Sequence, residues 1–159
     1  MSKPKAMPDD IRKECLSIVA GYDRRVRSYY DKRREIIEGT PQRHIEIGDQ
    51  SKKDSEWAYL PSSHEASRNA ENIALSLAAL DDKYETKKIK AVEYARERIG
   101  VDIADPDLKR RLVSAIMLNC TSGKRYPYNC FDLTGIEKTN FYDRRTDFLV
   151  SVARYLDML

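Results

Sequence analysis

The chain is poor in the residues that make turns, disulfide frameworks and metal sites. Its 159 residues include six glycines, six prolines, three cysteines and two histidines. So few turn-forming residues disfavour a β-sandwich, in which a turn separates each pair of strands. The cysteines include no CxxC pair and the histidines lie far from them in sequence, so neither a disulfide framework nor a zinc site is indicated. We expect reduced, buried thiols instead.

Long apolar runs and known catalytic motifs are also missing. No stretch approaches the roughly 18 apolar residues that a membrane span requires, and the first six residues include no apolar core of a signal peptide. The sequence contains no glycine-rich phosphate loop and no HExxH motif, and His44 and His64 lie in polar surroundings. We therefore expect a soluble cytoplasmic protein that is not an enzyme, needs no cofactor and does not bind a membrane.

Charge and helix-forming residues are abundant. Charged residues make up 35% of the chain and hydrophobic residues 41%, a composition typical of helices with one charged face, so we predict an all-α protein. Basic and acidic residues nearly balance, at 29 against 26. Between positions 107 and 145, however, eight basic residues stand against four acidic ones. The basic excess in this part favours a nucleic-acid partner.

Apolar residues at three- and four-residue steps predict two long helices, over about 9–38 and about 62–99, which end at Gly39 and Gly100. Alanines spaced along the second helix allow close approach, so we expect the two to pack antiparallel as a helical hairpin. A polar loop over 40–62 joins them, and its Trp57 is expected to contact the core or a partner. The tyrosines of the first helix are either core residues or a dimer surface; they are Tyr22, Tyr29 and Tyr30.

The last third of the sequence has the pattern of a helix-turn-helix. Asp105 and Pro106 predict the N-cap and first residue of a third helix that ends near Ser122. Two further helices, over 127–133 and about 138–157, flank a turn at Gly135. We expect one apolar face to form the core of this region, with residues Phe131, Leu133, Ile136, Phe141, Phe148, Val152 and Leu156. The opposite face is expected to carry the charged side chains Lys138, Asp143, Arg144 and Asp147.

The first turns of the last helix carry side chains able to bind base edges and phosphates, and further basic residues lie close by. The candidate DNA-binding residues are Lys138, Thr139, Asn140, Tyr142, Asp143, Arg144, Arg145, Lys124 and Arg125. Acidic residues at 102, 105 and 107 are expected to cap helices or favour a helix N-terminus rather than bind a metal.

The stretch TGIEKTNFYDRRTDFL at 134–149 resembles the recognition segment of phage transcriptional regulators of the RinA/ArpU kind. The segment IIEGTP at 36–41 and the alanine-rich stretch up to Ile99 are similar to the N-terminal part of that group. The resemblance implies a C-terminal helix-turn-helix like region 4 of sigma factors. At two positions the chain differs: Glu137 replaces a small capping serine, and Asp143 replaces a residue that is often basic. Asp143 would then contact cytosine or brace an arginine.

These patterns together predict a phage- or prophage-type transcriptional regulator. Residues 1–104 would form the helical hairpin that mediates oligomerisation or partner binding, and residues 105–159 the DNA-binding region. Double-stranded DNA is the expected partner, with RNA polymerase as a second candidate and a homodimer as the favoured assembly. Two alternatives stay open: a small-terminase-type packaging subunit, which would form a ring, and a helical protein-interaction module without DNA binding.

Overall fold

The computed structural model describes residues 6–39, 63–122 and 125–159. These residues form six α-helices and short 3-10 segments without any β-strand, so the all-α prediction is confirmed. The helices are α1 (Asp9–Ala20), α2 (Tyr22–Glu38), α3 (Ser63–Asp81), α4 (Tyr84–Glu97), α5 (Pro106–Ser122) and α6 (Lys138–Tyr155). None of these six helices contains an apolar stretch of the length that a bilayer-spanning segment needs. The predictions for Lys124, His44 and Trp57 fall outside the described residues.

The first long helix predicted from the sequence is interrupted at Gly21, so the prediction of a continuous helix over 9–38 is wrong. The Arg25 guanidinium donates from Nη1 to the Ile18 carbonyl at 2.6 Å. In an unbroken helix that carbonyl would accept the backbone N–H of residue 22. A Cβ atom on Gly21 would lie 2.7 Å from the same nitrogen, so glycine leaves room for this contact and the chain divides into α1 and α2.

The second predicted helix is also divided, because α3 ends at Asp81 and α4 begins at Tyr84. The buried Thr86 hydroxyl donates to the Leu80 carbonyl at 2.7 Å, and the Lys83 backbone N–H donates to it at 3.3 Å. This carbonyl would otherwise accept the N–H of residue 84. A side-chain hydroxyl therefore replaces one helical hydrogen bond and stabilises the break.

The chain forms two compact units, whose bounds differ from those of the two functional regions expected at 1–104 and 105–159. One unit comprises Met1–Arg25 and Lys87–Leu159, and the other comprises Val26–Thr86. In the first unit α1 packs against α5 and α6, and α5 also contacts α6. The core between them includes Cys15, Val92, Leu112, Ile116, Phe141 and Val152, each fully buried.

The second unit contains most of α2 together with α3. The Tyr29 hydroxyl, near the start of α2, donates to Asp81 Oδ1 at the end of α3 at 2.6 Å. Ile36, near the end of α2, and Ile73, in the middle of α3, line a common groove. Helix α2 has no buried residue, and Ile37 and Leu75 are both more than half exposed. Among the residues of this unit that the structure describes, α2 therefore contributes contacts near the surface.

The three tyrosines predicted as core or dimer residues have different environments. Tyr22 is half-buried against the core of the first unit, and its hydroxyl donates to Glu93 at 3.1 Å. Tyr29 is half-buried and bonded to Asp81. Tyr30 is exposed and packs its ring edge-on against Tyr29, with centroids 5.4 Å apart. The core interpretation therefore fits Tyr22 best, and Tyr30 is the surface residue.

The segment between α4 and α6 begins as the sequence predicts. Gly100 follows α4 with a φ of +67°, a left-handed conformation that glycine adopts without steric cost. Asp105 then caps α5, since its Oδ1 accepts the Asp107 backbone N–H at 2.9 Å and its carbonyl accepts the Lys109 N–H at 3.0 Å. Helix α5 begins at Pro106 and ends at Ser122. Both predicted ends of this helix are confirmed.

Candidate nucleic-acid interface

The turn before α6 is stabilised by one hydrogen bond within its own backbone and by a second one from a tyrosine in the preceding loop. The Ile136 N–H donates to the Leu133 carbonyl at 3.0 Å, and Gly135 lies between them with a φ of +88°. The Tyr128 hydroxyl donates to the Ile136 carbonyl. Gly135 is therefore a turn residue, as predicted, and the tyrosine connects the turn to the preceding loop.

The prediction that residues 127–133 form the first α-helix of a helix-turn-helix is wrong. Only a 3-10 helix of three residues, Tyr128–Cys130, forms there. Asn119 of α5 donates from Nδ2 to the Tyr126 carbonyl at 2.7 Å, and Phe131 packs against the core. Tertiary contacts therefore hold residues 126–131 in place without the hydrogen bonds of an α-helix.

One face of α6 is anchored deeply in the core, where its buried residues are Phe141, Phe148, Leu149, Val152 and Ala153. The Phe141 ring contacts those of Tyr128 and Phe131, with centroids 5.6 and 5.8 Å away. Leu133, Ile136 and Leu156 are also buried, and Phe131 is partly buried. The predicted core of this region is therefore confirmed. Because the buried face is fixed, so is the direction in which the other face points.

The predicted DNA-binding residues divide into two groups by exposure. Those exposed to solvent are Lys138, Thr139, Asn140, Asp143 and Arg125, and those half-buried are Tyr142, Arg144 and Arg145. Helix α6 begins at Lys138, with Glu137 at the N-cap position, where it makes no side-chain capping bond. The exposed group other than Arg125 therefore lies on the first two turns of α6. There the unpaired backbone N–H groups also attract anions.

Arg144 lies outside the buried face of α6, but its side chain does not extend freely into solvent. Its Nη1 and Nη2 donate to Asp102 Oδ1 and Oδ2 at 2.7 and 2.6 Å, and its Nε donates to Asn140 Oδ1 at 2.6 Å. The Arg144 side chain is 22% exposed and the Asp102 side chain 64%. The hydrogen bonds from Arg144 lower the pKa of Asp102 to about 2, and the carboxylate raises the pKa of Arg144.

Asp102 was not among the residues predicted from the sequence to take part in the interface. It belongs to an acidic cluster predicted to cap helices, and Asp105 does cap α5 while Asp107 pairs with Arg110 at 3.3 Å. Asp102 instead binds a side chain 42 positions later. Its pair with Arg144 lines an open depression between the end of α4 and α6, together with Arg98, Asp147 and Phe148.

Arg145 points partly towards the interior. Its Nε atom is buried and has no hydrogen-bond partner among the described residues. Burial raises the pKa of the neighbouring Cys120 thiol, and the Arg145 guanidinium beside it opposes part of this rise. This nitrogen is therefore not accessible to a phosphate, although Arg145 was predicted to hold the DNA backbone.

The sequence stretch with the phage-regulator resemblance, 134–149, folds as the Gly135 turn and the first twelve residues of α6. Across the described residues, no three histidine, cysteine, aspartate or glutamate side chains are grouped so that they could hold a metal ion. A comparison of the chain with family models, curated proteins and solved structures found no match.

Proposed function

We propose that this chain is a cytoplasmic, phage- or prophage-type transcriptional regulator that binds a specific double-stranded DNA sequence with the N-terminal half of α6. The observation that supports this most directly is the contrast between the two faces of the helix. Phe141 and Phe148 fix one face in the core, while Lys138, Thr139 and Asn140 project from the other at the helix start. A recognition helix in the major groove presents its N-terminal residues in the same way.

The chemistry of the exposed group suits both parts of DNA recognition. Lys138 supplies a cation for a phosphate, and the backbone N–H groups at the start of α6 add a favourable dipole. Asn140 is able to read adenine, and Thr139 either a base or a phosphate. Asp143 would accept a hydrogen bond from cytosine. Arg125 lies exposed in the loop before the turn, where it would contact the backbone.

We expect the protein to bind DNA as a dimer. A single module of this size buries little DNA surface, and pairing two modules raises the effective affinity without new contacts. The second unit, with Tyr30, Ile37 and Leu75 exposed, is the candidate for this contact or for a contact with RNA polymerase. Size-exclusion chromatography with light scattering tests the assembly. A ring of many subunits would favour a packaging role instead.

DNA binding is tested by titrating a labelled duplex that contains the region flanking the protein's own gene. We expect Lys138→Ala to weaken binding by about tenfold and to reduce the salt slope by about one, because one phosphate contact is lost. Combining it with Arg144→Ala should weaken binding further. Arg154→Ala removes an exposed cation from the last turn of the same helix and serves as the matched control, with little expected change.

Equal binding by the wild type and the Lys138→Ala/Arg144→Ala variant would contradict the proposal. So would the absence of binding to any fragment near the gene, even in the presence of RNA polymerase. In either case the protein-interaction alternative, which predicts no salt-dependent affinity for DNA, would be favoured.

A further inference from the structure

All three nitrogens of the Arg144 guanidinium are bonded within the chain. The two terminal nitrogens donate to the two oxygens of Asp102, and Nε donates to Asn140. This forked pair is the arrangement that an arginine uses to bind a phosphate or the O6 and N7 atoms of guanine. While Asp102 accepts hydrogen bonds from both terminal nitrogens, Arg144 cannot use the same two donors to bind DNA.

We propose that Asp102 competes with DNA for Arg144, so that the free protein is held in a form with reduced DNA affinity and binding exchanges the carboxylate for a DNA acceptor. This inference rests on the proposed function. The Asp102 carboxylate stands where a phosphate or a guanine edge would lie. The pair can be called the Asp102–Arg144 latch.

The surroundings of the latch favour exchange over a fixed structural role. Asp102 lies in the turn between α4 and α5, and its side chain is 64% exposed. Exposed ion pairs add little to stability because water and salt screen both charges. The turn itself is fixed without the pair, since Gly100 and the Asp105 cap determine its backbone. Releasing Arg144 therefore leaves the fold intact.

The latch also changes the charge at the start of α6, where the candidate DNA contacts Lys138, Thr139 and Asn140 lie. With Asp102 bound, the positive charge of Arg144 is neutralised, and Glu137 and Asp143 are the acidic residues beside Lys138 on α6. Release of the latch exposes one more cation to DNA. The measured affinity is then lower than the affinity of the open form, in proportion to the fraction of molecules that are open.

The test compares DNA binding by the wild type, Asp102→Asn, Asp147→Asn and the Asp102→Asn/Arg144→Ala double variant. We expect Asp102→Asn to tighten binding by roughly fivefold, the equivalent of about one exposed ion pair. Its salt slope should differ from that of the wild type by less than about one, because Arg144 contacts DNA in both complexes and only the salt-screened pair with Asp102 is missing from the variant. The double variant should lose this gain, since the effect acts through Arg144.

Asp147→Asn is the matched control for net charge, because Asp147 is exposed and lines the same depression without a hydrogen bond from Arg144 among those the structure shows. An equal gain in Asp102→Asn and Asp147→Asn would overturn the latch in favour of a simple charge effect. Weaker binding by Asp102→Asn would overturn it as well, because Asp102 would then position Arg144 for DNA. Circular dichroism of each variant, with Asp102→Ser as a second substitution, separates these outcomes from misfolding.

A direct measurement follows the Arg144 Nε–H signal by nuclear magnetic resonance. Adding the duplex to the wild type should move this signal in the same direction as Asp102→Asn does without DNA, and an unchanged signal would overturn the latch. If neither the wild type nor any variant binds DNA, or if Lys138→Ala binds it as tightly as the wild type, the proposed function itself fails. If Lys138→Ala weakens binding but Asp102→Asn does not strengthen it, only the latch fails.

Discussion

Phe141 is the residue on which the position of α6 depends most. Its ring is fully buried and contacts the rings of Tyr128, Phe131 and Tyr142 at centroid distances between 5.2 and 5.8 Å. These aromatic neighbours come from the loop before the turn and from α6 itself. The same side chain therefore holds together the loop, the turn and the helix that carries the candidate interface.

Replacing Phe141 with alanine should lower the free energy of unfolding by about 3–5 kcal/mol, because the loss of buried surface is combined with a cavity. Urea denaturation followed by circular dichroism measures this change. Tyr126→Ala is the control, since Tyr126 is 40% exposed and its loss should cost less than about 0.5 kcal/mol. Similar costs for the two variants would mean that the Phe141 ring is not central to the packing of α6.

The three cysteines differ in environment and should differ in reactivity. Cys15 and Cys120 are buried and Cys130 is exposed, so the expectation of buried thiols holds for two of them. Burial raises the pKa of Cys15 to about 11 and also raises the pKa of Cys120. Both effects reduce the thiolate available at neutral pH.

At pH 8 we expect Ellman's reagent to react rapidly with one thiol in the folded protein and slowly with the other two. Cys130→Ser should remove the rapid phase, and unfolding in guanidinium should make all remaining thiols react at similar rates. A rapid phase that survives this substitution would contradict the burial of Cys15 and Cys120.

Asp102 should titrate near pH 2, and Arg144→Ala should return its pKa towards 3.8. Since the pKa is lower in the folded state, the pair stabilises the fold above about pH 4, and this contribution is lost as the pH falls from about 4 to 2. Carbon-detected nuclear magnetic resonance of the carboxyl group measures the midpoint. An ordinary midpoint near 3.8 in the wild type would show that the pair does not form in solution.

At the scale of the element, α5 and α6 begin in different ways. Asp105 caps α5 with a side-chain hydrogen bond, whereas Glu137 occupies the N-cap of α6 without one. The start of α6 is determined instead by the turn at Gly135 and by the burial of Ile136 and Phe141. This leaves the first N–H groups of α6 without a side-chain cap, as an anion-binding helix terminus requires.

The difference between the two N-caps predicts different costs of substitution. Asp105→Ala should lower the free energy of unfolding by about 1 kcal/mol, because a capping bond is lost. Glu137→Ala removes a side chain from the equivalent position of α6 and should change stability by less than about 0.5 kcal/mol. Thermal and urea unfolding of the two variants side by side measure the difference. Equal costs would contradict the assignment of the caps.

At the scale of the whole molecule, the two compact units differ in how much they bury. Among the residues that the structure describes, nearly all the fully buried side chains belong to the first unit, mainly on α1, α4, α5 and α6. In the second unit α2 has no buried residue, while Leu80 near the end of α3 and Thr86 at the start of α4 are buried. Segments with few buried contacts open at a lower free-energy cost than core helices.

Hydrogen exchange followed by mass spectrometry should therefore show faster exchange for residues 26–38 of α2 than for the buried stretches of α5 and α6. If the second unit mediates dimerisation, protection of 26–38 should increase with protein concentration, while that of α6 should not. Uniform protection of α2 and α6 at low concentration would contradict the difference in packing.

Much of the fold could be predicted from the sequence, because many of its features depend on residues close together in the chain. The Asp105–Pro106 start of α5, the turn at Gly135 and the buried face of α6 follow from capping, backbone conformation and periodicity. The breaks at Gly21 and after Asp81 were missed, because a glycine or two polar residues within a helical pattern cost too little to outweigh its periodicity. Their causes are the side-chain hydrogen bonds of Arg25 and Thr86.

By itself, therefore, the sequence determined the helical class, the ends of α5 and the start and inner face of α6, which carries the candidate interface. Only the tertiary structure decided which of the interface side chains are available. Arg144 is bound by Asp102 and the Nε atom of Arg145 is buried near Cys120, whereas Lys138 and Thr139 are exposed. The physical reason is distance along the chain: Asp102 and Arg144 are 42 residues apart, so their pairing depends on the packing of the first unit rather than on local preferences.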